Sequence, residues 1–339
     1  MKRIVTKLLL VICFVAMSPA LAHAAEGRLT FSLPISCKLG VTCWTPNYVD
    51  LKPGKGTMDY ACGDATYDAP PGDQHKGTDF AVRDMAAVRN GVPVFAAASG
   101  EVVGMRDGMP DVGGAVENKE CGNGLRIKHN NDFTTQYCHM RQNSVLLKTG
   151  DRVERGQQLG LVGLSGQTVF PHLHFQVERG KEVIDPFAGL DRKKQCGVGA
   201  QTLWDAQTLE QLPYQPTAIY NVGFAPQKPD IKSIREGQYH DQPFDATAAA
   251  MVVWAEFFRV SADDEVVIEI IDPEGVQIHK HRTEIKAKKA RYFAFSGLRL
   301  KAAKWRSGTY RAEVTLIRSN QSFSATRQVE VRYTNSQNF

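Results

Sequence analysis

The chain has 339 residues, with 41 lysines and arginines against 36 aspartates and glutamates, a formal net charge of +5. Three of the basic residues lie in the first seven positions, and without that segment the charge is only +2. So weak a balance argues against nucleic acid or a charged membrane surface as partner, and the length suits two domains.

The opening, MKRIVTKLLLVICFVAMSPALAHA, places Lys2, Arg3 and Lys7 before an apolar run from Leu8 to Met17. Pro19 and the small-residue pattern Ala22-His23-Ala24 follow. This predicts a secretory signal peptide over 1–24, cleaved after Ala24. The apolar run is short for a bilayer span, and nothing later is apolar enough for one. No membrane span is expected after signal removal.

Cys13 leaves with that segment. Cys37, Cys43, Cys62, Cys121, Cys138 and Cys196 remain. An even number in an exported chain predicts disulfides, and the absence of a C-x-x-C motif argues against a cysteine zinc site. Cys121–Cys138 is the pair most directly suggested, because the two flank one hairpin, and a short Cys37–Cys43 loop is the next candidate. All six lie before residue 200, so the two parts of the chain depend on cross-links differently.

Residues 25–69 are rich in Gly, Pro, Asp and Cys and predict an irregular, disulfide-pinned lead-in. From 70 to 199 short alternating segments recur between glycine turns: VPVFAAASGEVVGM, GLRIKH, FTTQYCHM, GQQLGLVG and HLHFQV. This pattern predicts an antiparallel, all-β domain. Residues 104–122 read as a long loop, of a length often found over a cleft. Residues 200–228 hold Pro213, Pro216 and Pro226 and a short helical pattern, LWDAQTLEQL, and are expected to be a linker. Strands resume over 229–335. TYRAEVTLI alternates, and VVIEIIDPEGVQIHK reads as a hairpin turning at Asp272-Pro273-Glu274-Gly275. A small immunoglobulin-like β-sandwich is expected there.

The chemistry lies in three short stretches. In HLHFQV, Leu173, Phe175 and Val177 should face a core, while His172, His174 and Gln176 share the other face. Burying two adjacent imidazoles is costly unless both find partners. In HKGTDF, His75 and Asp79 lie four apart, and Gly77 and Thr78 favour an extended chain. In TQYCHM, His139 ends a strand whose hairpin turns at Asn130-Asn131-Asp132. His75, Asp79 and one histidine of the 172/174 pair supply three nitrogen or oxygen ligands, the catalytic zinc pattern with one position left open. Two histidines are then spare to move a proton or stabilise an oxyanion. Neither a spare thiol nor G-x-S-x-G supports cysteine or serine catalysis. His129, beside the Asn-Asn turn, is expected to be solvated, and His279 and His281 to lie on a strand surface.

HKGTDF, GNGLRIKHNNDFTTQYCHM, GDRVERGQQLGLVGLSGQT, PHLHFQV and GKEVIDP occur in an order and spacing that resembles the lysostaphin-type zinc metalloendopeptidases, enzymes that cut peptides in peptidoglycan. The resemblance spans about residues 70–190. It implies an antiparallel β-sheet peptidase domain, one Zn2+ held by His75, Asp79 and His174, and His139 and His172 as the catalytic histidines. Peptidoglycan peptides are the implied partner. The Gram-negative character of the signal points to the bacterial periplasm and to D-alanyl–diaminopimelate bonds. The loop at 104–122 and the cysteine-rich start depart from the pattern and bear on substrate choice. The resemblance gives the C-terminal unit no role.

The alternative is a non-catalytic wall-binding or amidase-activating module on the same scaffold, and the five filled positions weigh against it. VERGQQLGLVG superficially resembles biotin- or lipoate-carrier domains, but LVGLSGQTVF lacks the lysine that a carrier needs.

Overall fold

The computed structural model describes residues 28–69, 73–114, 117–190, 196–240 and 243–333. The expected signal segment lies outside them. Two hydrophobic cores organise the chain.

The first core lies under an eight-stranded antiparallel sheet. Its order is Cys43–Asn47, Gly77–Val82, His172–Arg179, Phe133–Met140, Asn123–Lys128, Gly100–Arg106 and Arg152–Val153, with Glu182–Val183 paired to His172–Arg179. Strand alternation decides which side chains go inside. Leu173, Phe175 and Val177 are fully buried in the core, as expected, and meet Phe80, Leu125, Ile127 and Tyr137 from neighbouring strands. Each such side chain contributes roughly 1.5–3 kcal/mol on burial. A two-stranded sheet, Pro93–Phe95 with Gln158–Leu161, closes one side.

The lead-in is less irregular than expected. Cys43–Asn47 is an edge strand of the main sheet, and Phe31, Ile35, Tyr48, Tyr60 and Ala65 belong to its core. The Phe31 N–H donates to the Leu203 carbonyl at 2.7 Å, so chain from both ends of the first core pairs beneath it. Three disulfides fix this unit: Cys37–Cys43, Cys62–Cys196 and Cys121–Cys138. Both suggested pairs are present.

The second unit has a three-stranded sheet (Ala218–Ala225, Ala250–Val260, Lys289–Arg299) and a five-stranded sheet (Phe244–Asp245, Gln321–Arg332, Gly308–Arg318, Glu265–Ile271, Gln277–Glu284). Val253, Ala255 and Phe257 from the first and Val266, Ile268, Val314 and Leu316 from the second share one core, which makes the unit a β-sandwich. The hairpin between Glu265–Ile271 and Gln277–Glu284 turns at Asp272–Gly275, where Gly275 takes φ +83°.

The expected linker at 200–228 is corrected in one respect. Its helix is present at Ala206–Gln211, but residues 218–225 form a strand paired with Ala250–Val260. In AIYNVGFA a register shift between Ile219 and Asn221 switches faces, so that Ile219, Val222 and Phe224 join the sandwich core while Ala218 and Tyr220 pack in a separate cluster, and the broken alternation between flanking prolines hides the strand in the sequence. A third, smaller cluster joins the two units: Trp44 and Ala81 from the first sheet against Ala218, Tyr220 and Phe258 from the sandwich.

Candidate metal centre and active site

Sheet register brings the three motifs together. Asp79 sits directly opposite His174 on adjacent antiparallel strands, and His174 sits opposite Cys138, beside His139. His75 lies just before the Gly77–Val82 strand, in extended chain rather than helix. The His75 Nε2 and His174 Nδ1 atoms are 3.2 Å apart, and they lie 3.2 Å and 2.9 Å from the Asp79 Oδ1. Ligands at zinc–nitrogen and zinc–oxygen distances of about 2.0–2.1 Å, set tetrahedrally, stand ~3.3 Å from one another. The triad therefore fits a zinc-sized cation.

Outer partners aim these groups. The His75 Nδ1–H donates to the Tyr48 carbonyl at 2.7 Å, which leaves Nε2 as the basic nitrogen facing Asp79. The outer carboxylate oxygen of Asp79, Oδ2, accepts from the Asn47 side-chain amide at 2.8 Å. Gln176 Oε1 lies 3.4 Å from His174 Nε2, and the Gln176 amide donates to Glu178 Oε1 at 2.7 Å, so its oxygen faces the imidazole. Gly77 is required by packing. A Cβ there would stand 2.6 Å from the His174 ring and 2.7 Å from the Phe175 carbonyl.

His139 and His172 lie beside the triad, with ring centroids 4.6 Å apart. Each is held from behind by a backbone carbonyl: the His139 Nδ1–H by Ser165 at 2.8 Å, the His172 Nδ1–H by Phe170 at 2.9 Å. Both Nε2 atoms are left as bases, and that of His172 is 3.4 Å from Asp79 Oδ1. His139 takes φ +60°. That costly backbone state for a non-glycine residue is imposed where the sheet register shifts and the His139 N–H bonds the Cys121 carbonyl. Burial, then the neighbouring His172 and His174, push the His139 imidazolium well below the usual histidine range, so the ring is neutral. Burial alone would raise the Asp79 carboxyl, but the surrounding imidazoles hold it well below the usual carboxylate range.

Basic nitrogens and a carboxylate thus converge on one small volume, an arrangement that a bound cation stabilises. Among the described residues, His75, Asp79 and His174 are the only such ligand cluster.

The region read as a long loop at 104–122 begins as strand through Arg106, and described residues beyond it are tethered. Asp111 accepts from the backbone N–H groups of Gln142 and Leu164, the Gly113 N–H donates to Leu164, and Cys121 is bonded to Cys138. It forms a wall beside the segment that carries Ser165. His129 is a second correction. It is buried, bonded to Ser99 O and Thr135 Oγ1 at 2.8 Å each, with the Phe31 ring 5.7 Å away, while the Asn-Asn turn beside it stays exposed.

Residues 73–186 match Peptidase family M23. This segment is an M23 peptidase domain. Over 103 residues the chain is 36% identical to the peptidoglycan DD-endopeptidase ShyB of Vibrio cholerae, covering 30% of this chain and 20% of that protein. Over 110 residues it is 36% identical to ShyA, named likewise and from the same organism, covering 32% and 21%. The chain thus spans about a fifth of the length of these curated relatives. Among solved structures, the catalytic domain of lysostaphin from Staphylococcus simulans is 30% identical, with 36% of this chain and 83% of that one covered and a TM-score of 0.27.

Sequence reasoning did not find Asn47 or the Tyr48 and Ser165 carbonyls around the M23 site. Gln176 was detectable, since it lies two residues from His174 on the same strand face.

Proposed function

We propose that this chain is a secreted zinc-dependent endopeptidase that hydrolyses peptide bonds in peptidoglycan stem peptides or cross-links. The observation that carries the reading is the set of three donor atoms 2.9–3.2 Å apart, with two further histidines whose Nε2 atoms are left basic. His75, Asp79 and His174 would hold the metal. Zinc, when bound, supplies Lewis-acid polarisation of a carbonyl and lowers the pKa of water. His139 and His172 accept a proton on Nε2 and return it to the departing amine, their rings fixed by the Ser165 and Phe170 carbonyls. After protonation either imidazolium can also stabilise a developing oxyanion.

The names of the relatives support a peptidoglycan substrate. Three disulfides and the signal-like N-terminus support export, with the bacterial periplasm as destination.

The test is to measure zinc content and the products released from purified sacculi for the wild type and three variants. His174→Ala should lose both zinc and activity. His172→Ala and His139→Ala should keep near-stoichiometric zinc yet cleave at least about a hundredfold more slowly. Zinc loss on His172→Ala with retention on His174→Ala would reverse the two roles. A zinc-loaded wild type that releases nothing would sink the endopeptidase reading and favour a non-catalytic wall-binding module.

A further inference from the structure

We infer that the C-terminal β-sandwich is a working part of the active site: Arg291 and Arg259 are positioning residues that hold the two loops stacked on His172 and His75. The inference rests on the endopeptidase reading above and gives a role to a unit that the sequence left without one.

The first loop runs from Ser165 to Pro171. Its Phe170 ring stacks on His172 at 4.6 Å between centroids and 29° between planes, and its carbonyl takes the His172 Nδ1–H. The placement of His172 thus depends on where Phe170 sits. Within the loop the Thr168 hydroxyl bonds the Phe170 carbonyl at 2.8 Å and lies 3.2 Å from His172 Nδ1, and the Phe170 side chain packs against a cluster to which the sandwich contributes Ala218, Tyr220 and Phe258. Phe258 packs against its ring at 5.3 Å, and the Arg291 guanidinium lies 5.7 Å from the ring centroid. Arg291 also donates through Nη1 to the Val169 carbonyl at 3.0 Å. Its other nitrogens are fixed from behind by the Tyr220 hydroxyl (2.7 and 3.2 Å) and the buried Glu256 carboxylate (3.2 Å). The planar fork of arginine is what allows one side chain to reach the loop and its own anchors together.

The second loop, residues 64–67, shows the same construction. The Arg259 Nη2 donates to the Asp64 carbonyl and, at 2.5 Å, to the Thr66 carbonyl. Lys288 pairs with the Asp64 carboxylate. The next residue, Tyr67, stacks on His75 at 4.5 Å and 28°. Arg259 is buried, takes φ +56°, and its carbonyl accepts from Arg318 at 2.7 Å. An interface serving adhesion alone could rest on the apolar cluster of Trp44, Tyr220 and Phe258. Here each of two arginines bonds the backbone carbonyl, Val169 or Thr66, that immediately precedes an aromatic ring touching a site histidine.

The experiment uses the full-length, zinc-loaded protein with Arg291→Met and Arg291→Lys. Glu256 keeps Arg235 at 3.0 Å in both, so no buried carboxylate is stranded. On a soluble cross-linked muropeptide, Arg291→Met should keep its zinc and its KM within about twofold, while kcat falls about ten- to a hundredfold through misplacement of His172. Arg291→Lys should recover part of that loss. Combined with Phe170→Leu, the kcat effects should be less than additive, because both act through one contact. Hydrogen exchange of residues 165–171, measured on zinc-free protein, should be faster in both Arg291 variants than in the wild type. Wild-type kcat in both variants, or unchanged exchange of 165–171, overturns the inference. If the wild type itself does not cleave, the endopeptidase reading fails, and the exchange result still decides whether Arg291 holds the loop.

Discussion

Asn47→Ala tests whether the metal centre depends on a residue outside the ligand set. Asn47 and Asp79 are both buried, and the Asn47 amide donates to the outer oxygen of Asp79 at 2.8 Å. The inner oxygen, Oδ1, faces His75 and His174. Removing the amide takes that donor from a buried carboxylate oxygen and frees the group to rotate about its last bond. A hydrogen bond to a charged group contributes roughly 1.5–3 kcal/mol. Part of that is lost from the metal-free protein as well, so only the orienting share appears in binding. Outer-shell losses of this kind lower metal affinity about 10–100-fold, or ~1.4–2.8 kcal/mol. Zinc affinity should be measured by competition with a chromophoric chelator, with circular dichroism to show that the metal-free variant is folded. The expected result is a folded protein with zinc weakened within that range. A folded variant that binds zinc as tightly as wild type would refute the claim that Asn47 orients Asp79.

Two other outcomes follow from buried groups. Burial pushes the Asp185 carboxyl up to about 7, against the pull of the Phe187 and Ala188 N–H groups, and its second oxygen is buried without a hydrogen-bond partner. A carboxyl raised in the folded state contributes stability that is present below its unfolded pKa and lost as pH rises towards 7. Asp185→Asn should therefore match wild type near pH 4 and exceed it by up to roughly 4 kcal/mol at pH 8, as read from denaturant unfolding at both pH values; a difference independent of pH would contradict this. Cys62–Cys196 closes a separation of 134 residues, the longest of the three bridges, so the paired Cys62→Ser and Cys196→Ser variant should lose about 5 kcal/mol on the chain-entropy estimate. The same unfolding assay checks it, and thiol titration of denatured, unreduced wild type should find no free cysteine.

What could be read in the sequence was set by local geometry. Strand alternation is a property of adjacent residues, so His172, His174 and Gln176 could be put on one face and Leu173, Phe175 and Val177 in the core without knowing any partner strand. The two-residue hop from His172 to the Phe170 carbonyl is equally local. The rest of the site is assembled from a distance. Asn47 is 32 residues from Asp79, Tyr48 is 27 from His75, and Ser165 is 26 from His139. No periodicity encodes those separations, because they depend on which strands lie side by side. His129 illustrates the same limit from the other direction: its position beside a polar turn suggested solvent, and its burial comes from Ser99, 30 residues earlier.

The C-terminal unit is the extreme case. Its strands were legible through alternation, and its core follows from them, yet Arg291 reaches Val169 across 122 residues and Arg259 reaches Asp64 across 195. In the sequence both arginines sit in strands as ordinary polar positions. Their acceptors are backbone carbonyls, which carry no residue-specific mark at all. A contact between a side chain and a carbonyl leaves a signal at only one end, so a sequence can display every ligand of a metal centre and remain silent about what holds the centre in place. The positioning of His75 and His172 therefore has two layers: the Tyr48 and Phe170 carbonyls of their own unit hold the rings, and Arg259 and Arg291 of the other unit bond the loops that carry Tyr67 and Phe170.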